Sequence, residues 1–213
     1  MTQLSSSLIW KRMLLDGKRM VTSCEVRALA RELGKHERRS LTYLQEEGYV
    51  CRILRGIFYV KTPNERERGA LSPSIHELVA RALAVKGVKR WYIGLESALK
   101  LNGMTHEFFN VEYVLTDSFR TTKVIKILEV NYQFLRRGRD HFDLGMTRKG
   151  GLAFSDPEKT VLDLAYREYL AGKDTARVRA PLEEYGNQLD AMTLGKYLAR
   201  YPPAFRSCVG AIE

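Results

Sequence analysis

KHERRSLTYLQEEGYVCRILRGIFYV, residues 35–60, decides the fold of the first part of this chain. Its second half, GYVCRILRGIFYV (48–60), alternates apolar and polar residues toward an Leu-Arg-Gly turn and out again, the pattern of a two-stranded hairpin. A lone hairpin is only marginally stable in water, so this one needs a surface to pack on. Its first half has helical periodicity. At about 100° per residue, Leu41 and Leu44 lie on one side. Lys35, Arg38, Arg39 and Thr42 fall on the other, with His36 and Tyr43 on a flank.

Two more short helices precede this stretch. SSLIWKRMLLDGK has a serine-rich start, apolar positions at Ile9, Met13 and Leu14, and Gly17 near its end. TSCEVRALARELGK opens with Thr22 and Glu25 in capping-box spacing. Val26, Leu29, Ala30 and Leu33 give it a buried face, and Gly34 closes it. Helix, helix, helix, hairpin within 62 residues is the order of a winged helix-turn-helix, the hairpin being the wing. The three helices are the surface on which it packs.

The third helix has the side chains that a DNA major groove requires. Arginine reads guanine edges bidentately, while Lys, Thr and Tyr hold phosphates. Cations at the start of a helix oppose its dipole, a small penalty that nearby phosphates would offset. Lys35, His36, Arg38, Arg39, Thr42 and Tyr43 are therefore the expected DNA-binding residues of the helix. Arg52 and Arg55 are those of the wing.

The charge balance agrees. The 213 residues have a net charge of +10 and a sequence pI near 9.6, which favours polyanionic partners. Residues 1–62 hold 12 Lys/Arg against 6 Asp/Glu, and the remaining 151 hold 23 against 19, so the charge is denser at the front. No apolar run approaches the ~18 residues of a membrane helix, and no signal-peptide pattern opens the chain. Three scattered cysteines, Cys24, Cys51 and Cys208, fit a reducing cytoplasm and argue against a disulfide framework or a zinc cluster. Cys24 and Cys51 read as core or half-buried positions. Four dispersed histidines suggest no metal site, and no cofactor motif is present.

TPNERERGALSPS (62–74), with two prolines, a glycine and alternating charges, reads as a linker. It sets the expected division at 1–62, a winged helix-turn-helix domain, and 63–213, a larger mixed α/β domain; the fold class is α+β. In the second domain, Ser74 and Glu77 open a helix, and RWYIGLESALKLNGM is a short buried entry followed by a helix ending at Gly103. FNVEYVLTDS, TKVIKILEVNYQFL and HFDLGMTRKGGLAFS alternate as strands, with RRGRD (136–140) a turn. SDPEKTVLDLAYREYLAG is a helix with Ser155 as its cap, Pro157 in its first turn, Glu158 completing the box and a face of Val161, Leu162, Ala165, Tyr166 and Tyr169. A small helical tail follows.

Catalysis finds little support. A metal-dependent nuclease needs an acid followed by Glu-x-Lys, whereas Asp117 is followed by Glu129 in Glu-Val-Asn, ending in Asn131. No G-x-S-x-G and no phosphate-cradling glycine loop occurs. Asp117, Glu129, Asp143 and Asp163 read as edge, turn or cap residues, so no enzyme is expected. A ligand-sensing repressor is the other alternative, with Tyr92, Tyr113, Tyr132 and Phe134 lining a pocket; aromatics at such spacing in strands are more often core.

A winged helix ending in RGIFYV, then YIGLESALKLNGMT, then strands, then GLAFSDPEKTVLDLAY resembles the AbiEi-type transcriptional regulators of bacteria and archaea. These are the antitoxin half of an abortive-infection toxin–antitoxin pair. The resemblance spans roughly residues 5–170. It implies an N-terminal domain that binds inverted repeats upstream of its own operon as an autorepressor. It also implies a C-terminal domain that counters a nucleotidyltransferase-type toxin without a stable complex. The tail after Tyr169 has no counterpart in the pattern. Ser155, Pro157, Glu158 and Asp163 lie in a non-catalytic block and read as fold determinants. Two-fold DNA sites would suit a homodimer or cooperative monomers.

Overall fold

The computed structural model describes residues 3–210, with side chains from Ser7 onward; Ser5 and Ser6 of the serine-rich start lie outside the described side chains. The chain is α+β and forms two compact units. One comprises residues up to 89 with 126–129, the other residues 90–125 and the chain from 130 onward.

The first unit runs α1 (Gln3–Leu15), β1 (Met20–Thr22), α2 (Ser23–Glu32), α3 (Glu37–Glu46), β2 (Val50–Leu54), β3 (Ile57–Val60), α4 (Pro63–Arg68) and α5 (Ile75–Val85). The expected hairpin is β2–β3, turned at Gly56, whose φ of +77° suits a residue without Cβ. The sequence reading misses β1, three residues too few to show alternation. It pairs antiparallel with β3, Val21 opposite Phe58, giving the order β1-β3-β2. Ile9, Met13, Val26, Ala30, Leu44, Val50 and Phe58 close a core between helices and sheet. Each large aliphatic side chain buried there contributes ~1.5–3 kcal/mol. The hairpin does lean on the three helices, and Trp10 Nε1 pins it further by donating to the Lys61 carbonyl at 2.7 Å.

Two boundaries differ from expectation. Residues 62–74 are not a free linker: Thr62 and Glu65 form a capping box around Pro63, starting α4. Glu65 is 2% exposed. It accepts from Tyr59 Oη (2.8 Å), Arg19 Nη2 (3.2 Å) and the Ser72 amide (2.9 Å), tying α4 to the hairpin. With α5 packed on the strands of this sheet, the first unit extends to Lys89 and the division does not fall at residue 62. The second difference is the start of α3. Lys35 and His36 precede the helix, because the Lys35 amide donates back to the Ala30 carbonyl and closes α2. Cys24 is exposed rather than buried, at the first turn of α2; Cys51 is half-buried.

The second unit comprises β4 (Trp91–Ile93), α6 (Glu96–Leu101), β5 (Glu112–Thr116), Ile125 at the start of β6 (Ile125–Ile127, whose other two residues belong to the first unit), β7 (Val130–Arg136), a 3₁₀ turn (Arg139–Phe142), β8 (Met146–Lys149), β9 (Leu152–Ser155), α7 (Pro157–Leu170), α8 (Thr175–Tyr185), a second 3₁₀ turn (Gly186–Gln188), α9 (Ala191–Leu198) and α10 (Pro203–Val209). Within this unit the mixed sheet has the order β7-β5-β4-β9-β8. β4 runs antiparallel to β5 and parallel to β9.

Helix α7 is central. One of its faces packs with the sheet side through Val161 and Leu164, alongside Tyr92, Leu95, Leu99 and Leu115. The other, Leu162 and Ala165, packs with Val178, Leu194, Leu198 and Phe205 of the tail helices. Burial on both faces explains the nearly continuous apolar run. Its cap is Asp156, which accepts from the Lys159 amide, and not Ser155. Ser155 ends β9 with its hydroxyl 2.7 Å from Thr160 Oγ1, and Glu158 instead accepts from the Asp190 amide at 2.9 Å.

The YIGLESALKLN segment (92–102) and the SDPEKTVLDLAYR segment (155–167) are bonded to each other. Arg167 Nη2 lies 2.7 Å from Glu96 Oε1, Asn102 Nδ2 donates to the Ser155 carbonyl (2.9 Å) and Tyr92 Oη to Asp163 (2.7 Å). Between β4 and α6, a Cβ on Gly94 would stand 2.5 Å from Leu115 Cδ1, so the turn is closed to larger residues. Asp163 thus ties elements together in the core; it is neither an edge nor a cap.

Candidate nucleic-acid interface

The end of α2, the turn at 33–36 and α3 build the candidate site. Gly34 takes φ +64°, and the Gly34 and Lys35 amides return to α2 carbonyls, so the chain reverses sharply into α3. His36 is the N-cap: its Nδ1 accepts from the Arg39 amide at 3.4 Å. That bond requires an unprotonated Nδ1. Lys35, His36, Glu37 and Arg38 line one shallow hollow at this helix start.

Buried Ser40 and Leu44, with half-buried Leu41, seat α3 on the core. Arg38, Arg39 and Thr42 are exposed on it, and Tyr43 is half-buried beside Tyr49, with ring centroids 6.0 Å apart. Burial, then the neighbouring Tyr49 and Glu47, pushes the Tyr43 phenol up, so it remains a neutral donor at physiological pH. Thr42 Oγ1 donates to the Arg38 carbonyl at 3.2 Å. Arg52 and Arg55 are exposed on the hairpin. The hairpin turn is held to the start of α2 by the Ser23 amide donating to the Gly56 carbonyl at 2.8 Å. Helix α3 packs against β2, the strand that carries Arg52.

Arg12, Arg19 and Arg31 are paired with Asp16, Glu65 and Glu37, whereas exposed Arg27, Arg68 and Arg81 form no ion pair with a carboxylate among the described residues. The guanidinium groups of Arg38, Arg39, Arg52 and Arg55 meet no carboxylate among the described residues. Arg31–Glu37, at 2.7 Å, was not foreseen from sequence. It neutralises the acid in the first turn of α3. The six-residue separation across a turn leaves it no periodic signal.

The aromatics weighed as pocket-lining residues behave otherwise. Tyr92, Tyr132 and Phe134 are wholly buried, and Tyr113 is half-buried against the sheet-side core. Glu129 is 88% exposed and pairs with Lys126. No group of three or more His, Cys, Asp or Glu that could hold a metal occurs among the described residues. No helix among them is long and apolar enough to cross a membrane.

No family model matches the chain. No curated protein matches it. Among solved structures, the chain is similar to the crystal structure of the RV2827C protein from Mycobacterium tuberculosis, with a TM-score of 0.58 and 14% identity over 97% of this chain and 75% of that one. At that identity the likeness is one of fold, and it extends across both units of this α+β architecture.

Proposed function

We propose that the chain is a sequence-specific, double-stranded DNA-binding transcriptional regulator. Its first unit acts as a winged helix-turn-helix, with α2 and α3 as the helix-turn-helix and β2–β3 as the wing. The observation that carries this reading is the placement of four exposed arginines, Arg38 and Arg39 on α3 and Arg52 and Arg55 on the hairpin that α3 packs against, none of them paired with a carboxylate among the described residues. Arg38 and Arg39 reach base edges or phosphates, Thr42 and Tyr43 hold phosphates, Lys35 approaches the backbone from the turn, and Arg52 and Arg55 act from the wing. His36 acts as the cap of the recognition helix as well as a flank residue.

The resemblance to AbiEi-type regulators extends the reading. The protein represses its own operon through inverted repeats and, with its second unit, counters a nucleotidyltransferase-type toxin in the cytoplasm. No catalytic step belongs to this function. The test is fluorescence anisotropy with duplex DNA from upstream of the gene, from about 50 to 200 mM salt. Six to ten phosphate contacts weaken binding roughly 10³- to 10⁵-fold over that range. Absence of duplex binding at low salt, or equal affinity for scrambled DNA, would exclude a sequence-specific regulator.

A further inference from the structure

Beneath a cleft in the second unit lies a buried polar cluster that the DNA-binding reading does not use. Asp163, 1% exposed, accepts from Tyr92 Oη (2.7 Å) and Tyr201 Oη (2.8 Å), and Lys159 Nζ stands 3.4 Å from it. Lys159 is itself wholly buried, its stem covered by Gly145, where a Cβ would stand 2.6 Å from Lys159 Cβ. His141 turns Nδ1 toward the same carboxylate at 3.9 Å and lies between Tyr166, stacked at 5.4 Å, and the edge of Tyr201 at 5.2 Å. Its Nε2 is therefore the nitrogen left for another partner.

Above this floor is a half-open cleft of about 480 Å³, bounded by His141, Tyr166, Arg200, Tyr201 and Pro202, with Asp140 also contributing to its wall. That volume lies within the usual range for small-molecule sites. Its donors outnumber its acceptors. The Asp163 carboxylate is already engaged by Lys159 and two phenols, while Arg200 has no carboxylate partner among the described residues. Arg137, which donates through Nη1 to the Arg136 carbonyl and does not line the cleft, adds a positive charge close enough to act on His141 and Tyr201.

We propose that this cleft is a binding site for a small oxyanion, a carboxylate or a phosphoryl or sulfuryl group. Arg200 and His141 hold the charge, and Tyr166, Tyr201 and Pro202 flank the body of the ligand. His141 makes the site proton-linked. Burial lowers its pKa, Lys159 and Arg137 oppose its protonation, and Asp163 and Asp140 favour it. The imidazole is thus neutral near pH 7 without ligand. A bound anion adds to the groups that favour imidazolium, so binding draws a proton onto Nε2. Affinity then rises as pH falls through the histidine range.

The experiment is a titration of the full chain, followed by NMR of the histidine imidazoles, with inorganic sulfate in one arm and acetate in the other at constant ionic strength. Sulfate keeps its charge over pH 6–8, and acetate is ionised throughout. The His141 resonance is assigned by comparison with His141→Gln and, should that variant misfold, by elimination with His36→Gln, His76→Gln and His106→Gln. The expected result is a saturable shift of His141 alone toward its imidazolium position, tighter at pH 6 than at pH 8. Arg200→Ser, at an exposed position, should weaken it about tenfold. Saturation by sulfate assigns a phosphoryl- or sulfuryl-type head group, and saturation by acetate a carboxylate. Shifts that stay linear with concentration in both arms, that are shared by the other histidines, or that survive Arg200→Ser unchanged would overturn the site. None of these readouts depends on DNA binding.

Discussion

The Tyr59 hydroxyl donates to Glu65 Oε1 across 2.8 Å, joining the second hairpin strand to the helix that follows it. Burial works to raise the Glu65 pKa, but hydrogen bonds from the Thr62 and Ser72 amides, Tyr59 and the Thr62 hydroxyl outweigh it and bring the value from 4.5 down to about 2. The folded state therefore holds this proton less tightly than the unfolded chain. The associated stability is fully present above pH ~4.5 and is lost as pH falls toward ~2, a contribution on the order of 3 kcal/mol. Glu65→Gln should remove most of that acid dependence and lower stability at neutral pH by about 2–4 kcal/mol. Urea melts of both proteins between pH 7 and pH 2.5 read the difference. Parallel acid profiles would count against this role for Glu65.

His36 has two roles in the proposal, and they are separable. Loss of the cap costs about 1 kcal/mol of helix stability, whereas Asn at an N-cap preserves the bond. His36→Ala should therefore lower the thermal midpoint and weaken DNA binding. His36→Asn should recover the midpoint. DNA affinity that recovers with it assigns His36 to positioning; affinity that stays low assigns it a direct contact with DNA.

The legibility of the chain follows the range of each interaction. Elements with their own caps were readable: Thr22/Glu25 and Ser74/Glu77 are both reciprocal boxes in the structure. The hairpin was readable from β2 and its Leu-Arg-Gly turn, since β3 is buried at all four positions and has no alternation of its own. The position of residues 62–74 was not. Pro63 and Gly69 read as breakers, yet here they start and end α4, and the bonds that dock it come from Arg19 and Tyr59, 46 and 6 residues away. For the same reason, the candidate DNA-contacting residues could be named from one short helix and the hairpin after it, while the Asp163 cluster could not. Tyr92 and Tyr201 converge on it from segments 71 and 38 residues away. The one local hint was the Lys159/Asp163 spacing of four within an otherwise apolar run.

Arginines that touch phosphate and arginines that touch bases leave different marks on salt dependence. Replacing a phosphate-contacting Arg with Ala reduces the slope of log K against log salt by about 1 and weakens binding to every sequence alike. Losing a base contact costs about 1–3 kcal/mol and relaxes specificity at one position. Arg52→Ala, on strand β2, and Arg55→Ala, in the turn held to α2, are expected to behave as phosphate contacts. Arg38→Ala and Arg39→Ala, on the helix, should divide between the two classes. Anisotropy at four salt concentrations, with single-base operator variants, separates them. The Arg31→Ala control, whose guanidinium is paired with Glu37, should change the slope little.

Lys159 and Asp163 are one helical turn apart and enclosed on all sides, so neither charge can be removed alone without stranding the other. Lys159→Met leaves a buried carboxylate held only by two phenols, and a loss of about 3–5 kcal/mol is expected. Asp163→Leu strands the ammonium and also leaves the Tyr92 and Tyr201 hydroxyls without their acceptor, so its loss should be at least as large. The double variant removes both charges and should be more stable than the sum of the single losses predicts, by 1 kcal/mol or more. Denaturant melts monitoring the second unit measure that coupling. Simple additivity would mean that the pair is solvated and that the cleft floor is open to water. The oxyanion site would then lose the dry, pre-organised base on which its proton linkage depends.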